Sequence, residues 1–118
     1  DLKVDQIAIV TYKLHQKKKT WIKENNMGNF TEDLKTAVIT TKYIIDQSSV
    51  ILHVYHYEDG SWQFNGNEKN LEDADYKVVS LGEILAIDKT LSEVGDTPLG
   101  FEAIRKTKDD KWRVISGN

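Results

Sequence analysis

Beyond position 36 the chain alternates short apolar runs with clusters of Gly, Asn, Asp and Ser, a pattern that predicts strands with a helix among them. The most legible stretch is Val50 to Gly66, VILHVYHYEDGSWQFNG. Two β-prone runs flank Asp59-Gly60, the dipeptide suited to a type I′ hairpin turn because both central residues then need φ > 0. With that turn Glu58 faces Ser61, Tyr57 faces Trp62, His56 faces Gln63 and Tyr55 faces Phe64. Side chains alternate along a strand, so Tyr55, Tyr57, Trp62 and Phe64 share one face and form an aromatic core cluster.

The neighbouring segments fill in around this hairpin. Thr36 to Ile45, TAVITTKYII, reads as one strand ending at the turn Asp46-Gln47-Ser48-Ser49. Asn65 to Asp75 is a polar, acidic connection, and Lys77-Val78-Val79 is a short strand. Ser80-Leu81-Gly82-Glu83 has the spacing of a capping box, in which the hydroxyl and the carboxylate each take a free N–H at a helix start. The helix then packs through Leu81, Ile84 and Leu85, and Thr90-Leu91-Ser92-Glu93 repeats the same spacing before Gly95. Phe101 to Arg105 and Trp112 to Ile115 close the chain as two strands joined by the charged loop Lys106 to Lys111. Residues 2–24 carry Val4, Ile7, Leu14 and Trp21 at helical spacing, against the β-branched and aromatic run Ile9 to Tyr12; the spacing predicts a helix.

The expectation is a single α+β domain over 1–118. It has a mostly antiparallel sheet of about five strands, the central aromatic hairpin, and one or two helices packed on one side. Residues 1–30 are an N-terminal element whose type the sequence leaves open between helix and strand, and 36–114 form the core.

At 118 residues the chain can bury a core without staples, and it has no cysteine, which removes disulfides, thiol nucleophiles and cysteine-based zinc sites. No apolar run approaches the length of a membrane span. The composition suits the cytoplasm, and a chain that begins at Asp1 is also compatible with removal of an N-terminal leader. Charge is uneven: residues 1–35 hold seven lysines against five acids, and the remainder holds nine Lys and Arg against fourteen acids. A basic patch around Lys13, Lys17, Lys18, Lys19 and Lys23 is the one candidate for nucleic acid, and a solvated helix face or loop is the favoured explanation for it. The acidic remainder suits a basic protein better, so no nucleic acid and no membrane are expected as partners.

Candidate chemistry is sparse. His53 and His56 stand three apart on a strand and point to opposite faces, so they cannot share a metal. Residues 65–76 lack the glycine that a calcium loop needs at its sixth position, where Asn70 stands. No serine lies in a Gly-x-Ser-x-Gly context and no Gly-rich phosphate loop occurs. The reading is therefore non-enzymatic, with no catalytic residue, cofactor or metal assigned. On charge alone the acidic stretch with Glu68, Glu72, Asp73 and Asp75 is the expected partner-binding face. Arg105, at the start of the charged loop, either pairs with an acid or joins that face.

HVYHYEDGSWQFNG, then DADYKVVSLGEILAIDKTLSEVGDTPLGFEAIR and a final KW, resembles a small bacterial immunity-protein-like domain of otherwise unknown function found in polymorphic toxin systems. Asp59-Gly60, Trp62, Phe64, Val79-Ser80-Leu81, Pro98, Gly100, Ala103, Arg105 and Trp112 carry the resemblance, which spans about residues 36–114. It implies a non-enzymatic inhibitor that caps a cognate toxin by surface complementarity. The alternative is a small-molecule-binding or regulatory module using the aromatic sheet face, with an apolar pocket beside Tyr55 and Trp62.

Overall fold

The computed structural model describes residues 12–15 and 20–23 as strands and residues 28–116 in full. Eight strands form one sheet: β1 (Tyr12–His15), β2 (Thr20–Lys23), β3 (Ala37–Thr41), β4 (His53–His56), β5 (Trp62–Asn65), β6 (Tyr76–Ser80), β7 (Phe101–Ile104) and β8 (Arg113–Ser116). Their order across the sheet is β1-β2-β8-β7-β4-β5-β3-β6, antiparallel throughout except where β3 runs parallel to β5. Two helices, α1 (Lys42–Gln47) and α2 (Leu81–Ile87), complete an α+β domain.

Ile44 of α1 and Leu81 and Ile84 of α2 join Val38, Val54, Trp62, Phe64, Ala103 and Val114 of the sheet in one buried cluster. Both helices thus cover the same face. The parallel joint between β3 and β5 rests on the register pair Ile39 with Gln63, and the buried Thr40 hydroxyl reinforces it by donating to the Phe64 carbonyl at 2.8 Å.

Three expectations need correction. Thr36 to Ile45 is not one strand, because the chain turns into α1 at Thr41, whose side chain accepts from the Ile44 N–H. A β-branched residue that suits a strand serves there as a helix cap as well. Ser48, at φ 58, ends the helix and its N–H bonds the Tyr43 carbonyl. The second cap also moves, since the Asp88 carboxylate accepts from the Thr90 N–H at 2.9 Å and starts a 3-10 turn over Lys89–Glu93. In the N-terminal segment Tyr12–His15 and Thr20–Lys23 are paired strands rather than a helix, with β2 docked on β8. Tyr12, Trp21 and Ile22 have the strand preference that helical spacing overrode; the rest of that segment, including Lys17, Lys18 and Lys19, lies outside the described residues.

The capping box of α2 is as expected. The Glu83 N–H donates to Ser80 Oγ at 3.1 Å, and the Ser80 N–H to Glu83 Oε1 at 3.2 Å. β7 and β8 pair as the closing hairpin, and β6 pairs along its length with β3.

Candidate functional site

The central hairpin forms, one residue out of the expected register. The Tyr57 carbonyl accepts from the Gly60 N–H and the Tyr57 N–H donates to the Ser61 carbonyl, both at 2.9 Å. Gly60 takes φ +92, whereas neither Glu58 nor Asp59 has a positive φ. This is a three-residue loop, a right-handed turn closed by a left-handed glycine. Asp59 holds it by accepting from the Ser61 N–H at 2.9 Å and the Ser61 hydroxyl at 2.6 Å, and those bonds pull its carboxyl below the usual range.

The extra loop residue moves every side chain of β4 relative to β5, since a slip of one exchanges the two faces. His56 now faces Trp62 and Val54 faces Phe64. Trp62 and Phe64 are buried, with Phe30 edge-on to Trp62 at 4.7 Å. Trp62 Nε1 donates to Glu32 Oε2 at 2.8 Å. The expected four-ring cluster is therefore split, and the place beside Trp62 where an apolar pocket was expected is filled core.

Tyr55 and Tyr57 stand on the opposite face, which no helix covers among the described residues. Their rings are stacked 5.9 Å apart with 7° between planes, and His53 extends the row, 6.0 Å from Tyr55. Tyr57 is 40% exposed, and Tyr76 and Val78 of the edge strand β6 are exposed at 36% and 70% on the same face. Next to Tyr55 on β7 stands Glu102, whose one ion pair among the described residues is with His53 Nδ1 at 3.7 Å. Burial raises the affinity of both Tyr55 and Tyr57 for their protons; Glu102 adds to this at both, after Tyr76 in the case of Tyr57.

At the turn end of β4 a groove of about 310 Å³ opens between Tyr55, Tyr57 and Glu58 on one side and Gly100, Phe101 and Glu102 on the other. Gly100 packs close to the Glu58 side chain there. It has φ +81, and a β-carbon there would stand 3.1 Å from Glu58 Oε2. His56 lines the base and is held by Nδ1, which donates to the Thr97 carbonyl at 2.7 Å.

The acidic residues singled out in the sequence do not gather into one open face. Asp75 is buried, meets Lys42 Nζ at 3.1 Å and accepts from the Glu72 N–H at 2.9 Å; that N–H and Lys42 hold its carboxyl below the usual range. Glu68 folds back on the chain, with Oε2 accepting from the Ser49 hydroxyl at 2.8 Å and Oε1 buried over Gly66. Glu72 and Asp73 are exposed.

Arg105 faces inward. Nε and Nη2 donate to the Ile51 carbonyl at 3.1 and 2.9 Å, Nη1 donates to Thr90 Oγ1 at 3.0 Å and the Lys108 carbonyl at 3.2 Å, and Nη2 also pairs with Asp88. The guanidinium lies 4.1 Å from the Trp112 ring. Burial alone would push the Asp88 carboxyl up, but the Thr90 hydroxyl and N–H, with Arg105, outweigh it and hold the group below its ordinary value. Arg105 and Asp75 lie at the same end of the strands with β4, β5 and β3 between them, so they do not form one site.

Among the described residues no three His, Asp or Glu side chains come together to hold a metal ion, and no helix is long and apolar enough to cross a membrane. No protein-family model, curated protein or solved structure matches the chain. Sequence reasoning missed the open tyrosine row because it assigned the wrong turn; the signal was the run Glu58-Asp59-Gly60, which suits a three-residue loop as well as a two-residue one.

Proposed function

We propose that this protein is a non-enzymatic protein-binding domain that meets its partner through the uncovered sheet face. The carrying observation is the Tyr55–Tyr57 stack on β4 and its turn, with Tyr57 exposed, Tyr55 half-buried, and Tyr76 and Val78 on the same face. Tyrosine offers a large contact area with little side-chain entropy to lose, which is why it concentrates at interfaces. Carboxylates at the groove, and the excess of acids over residues 36–118, suit a basic partner and speed its approach. The resemblance to immunity-type domains supports a toxin as that partner, with inhibition by occlusion. The acidic connection is the weaker candidate face, because Glu68 and Asp75 are already engaged there.

The groove is small and flanked by carboxylates, which suits a side chain presented by a protein better than an enclosed small molecule. Co-purification with the product of the adjacent gene, and rescue of growth when that product is toxic, tests the reading. A complex that is lost in Tyr55→Ala and Tyr57→Ala is expected. Absence of both complex and rescue overturns it.

A further inference from the structure

We infer that the groove between the β4–β5 turn and the start of β7 receives an arginine side chain of the partner protein. This rests on the protein-binding reading above and adds the chemistry of the contact.

Charge complementarity carries it. Two carboxylates edge the groove, and among the described residues neither pairs with a Lys or Arg. Glu58 has no hydrogen-bond or ion-pair partner among the described residues, and Glu102 has only His53, at a distance beyond a hydrogen bond. None of the groove's lining residues is Lys or Arg. Beside the carboxylates the nearly parallel Tyr55 and Tyr57 rings supply π-faces. A planar guanidinium can stack on such a ring and direct its N–H groups at carboxylates, which an ammonium does less well. The surroundings are already negative and partly desolvated, as the upward shifts of both tyrosines by burial and by Glu102 indicate. The shape also fits a single inserted side chain. Gly100 brings the β7 backbone close under Glu58, and the left-handed φ there excludes most other residues.

The test is a nuclear magnetic resonance titration of the isotope-labelled protein with N-acetyl-arginine methylamide. The neutral citrulline analogue of the same shape is the control. Arginine is expected to shift the amide resonances of Tyr55, Tyr57, Gly100, Phe101 and Glu102, with citrulline bound about tenfold more weakly. Glu58→Gln and Glu102→Gln, both conservative changes at the groove rim, are each expected to weaken arginine binding by about threefold. Equal shifts from the two probes, shifts mapping elsewhere, or no shift with arginine overturn the inference. The protein-binding reading falls on a different result, the absence of a complex with the neighbouring gene product, so the two fail separately.

Discussion

His56 and Trp62 lie face to face across β4 and β5, with ring centroids 3.7 Å apart and planes inclined by 8°. The pair marks the register that the three-residue loop sets, with Trp62 in the core and Tyr57 turned outward. Trp62→Ala is therefore expected to cost about 3–5 kcal/mol in urea unfolding, as for other buried large aromatics. Tyr57→Ala is expected to cost less than about 1 kcal/mol. The register with a two-residue turn would put both residues in the core, so similar losses for the two variants would contradict the structure.

Two glycines are needed for different reasons, and alanine tells them apart. At Gly60 a β-carbon meets nothing within 4 Å, so Gly60→Ala is charged only for the left-handed backbone, about 1–2 kcal/mol. At Gly95 the same β-carbon would stand 2.3 Å from the Phe30 backbone nitrogen and 2.5 Å from the Gly28 carbonyl oxygen. Backbone cannot rotate away as a side chain can, so Gly95→Ala is expected to cost about 3 kcal/mol or more. Chemical denaturation of the two variants gives the order directly.

Arg105 ties its own loop, through the Lys108 carbonyl, to Ile51 and to the 3-10 turn that carries Asp88 and Thr90. Arg105→Met removes the charge that Asp88 faces and strands the Ile51 carbonyl, with an expected loss of about 3 kcal/mol. Arg105→Lys is not conservative here, because one ammonium cannot reproduce the fork or the stack on Trp112. Asp88→Asn combined with Arg105→Met is expected to cost clearly less than the sum of the single changes, as measured by a double-mutant cycle.

Acid sensitivity follows from the same pair. The Asp88 carboxyl sits below its ordinary value in the folded protein. The unfolded chain therefore takes up the proton first as pH falls, and the stabilisation, complete above the ordinary Asp value of about 3.9, is lost as pH drops through the lower folded value. Asp59 and Asp75 shift in the same direction and add to the slope. Thermal unfolding followed downward from about pH 5 is expected to show a shallower decline in Asp88→Asn than in the parent. An unchanged slope would mean that Asp88 does not contribute.

Much of the fold is legible along the chain. Ser80 and Glu83 announce α2 because both partners of the capping box lie within one turn. The β7–β8 pair is legible for a similar reason, since its strands are separated only by a short charged loop. Thr41 was harder, because a threonine at the end of a β-prone run looks the same whether it continues the strand or caps a helix. The acidic residues misled in another way. Composition counts Glu68 and Asp75 as surface charge, whereas Ser49 and Lys42, distant in sequence, draw them inward.

By itself the sequence determined an α+β domain, the positions of most strands in its core, the cap of α2 and the use of Trp62 and Phe64 in packing, because each depends on neighbours a few residues apart. Tertiary structure decided the strand order, the inward turn of Arg105, and which rings of the hairpin meet solvent. A single loop residue sets which rings face outward: with strand side chains alternating at every step, one added residue exchanges the two faces and turns Tyr55 and Tyr57 from core residues into a row on the open face.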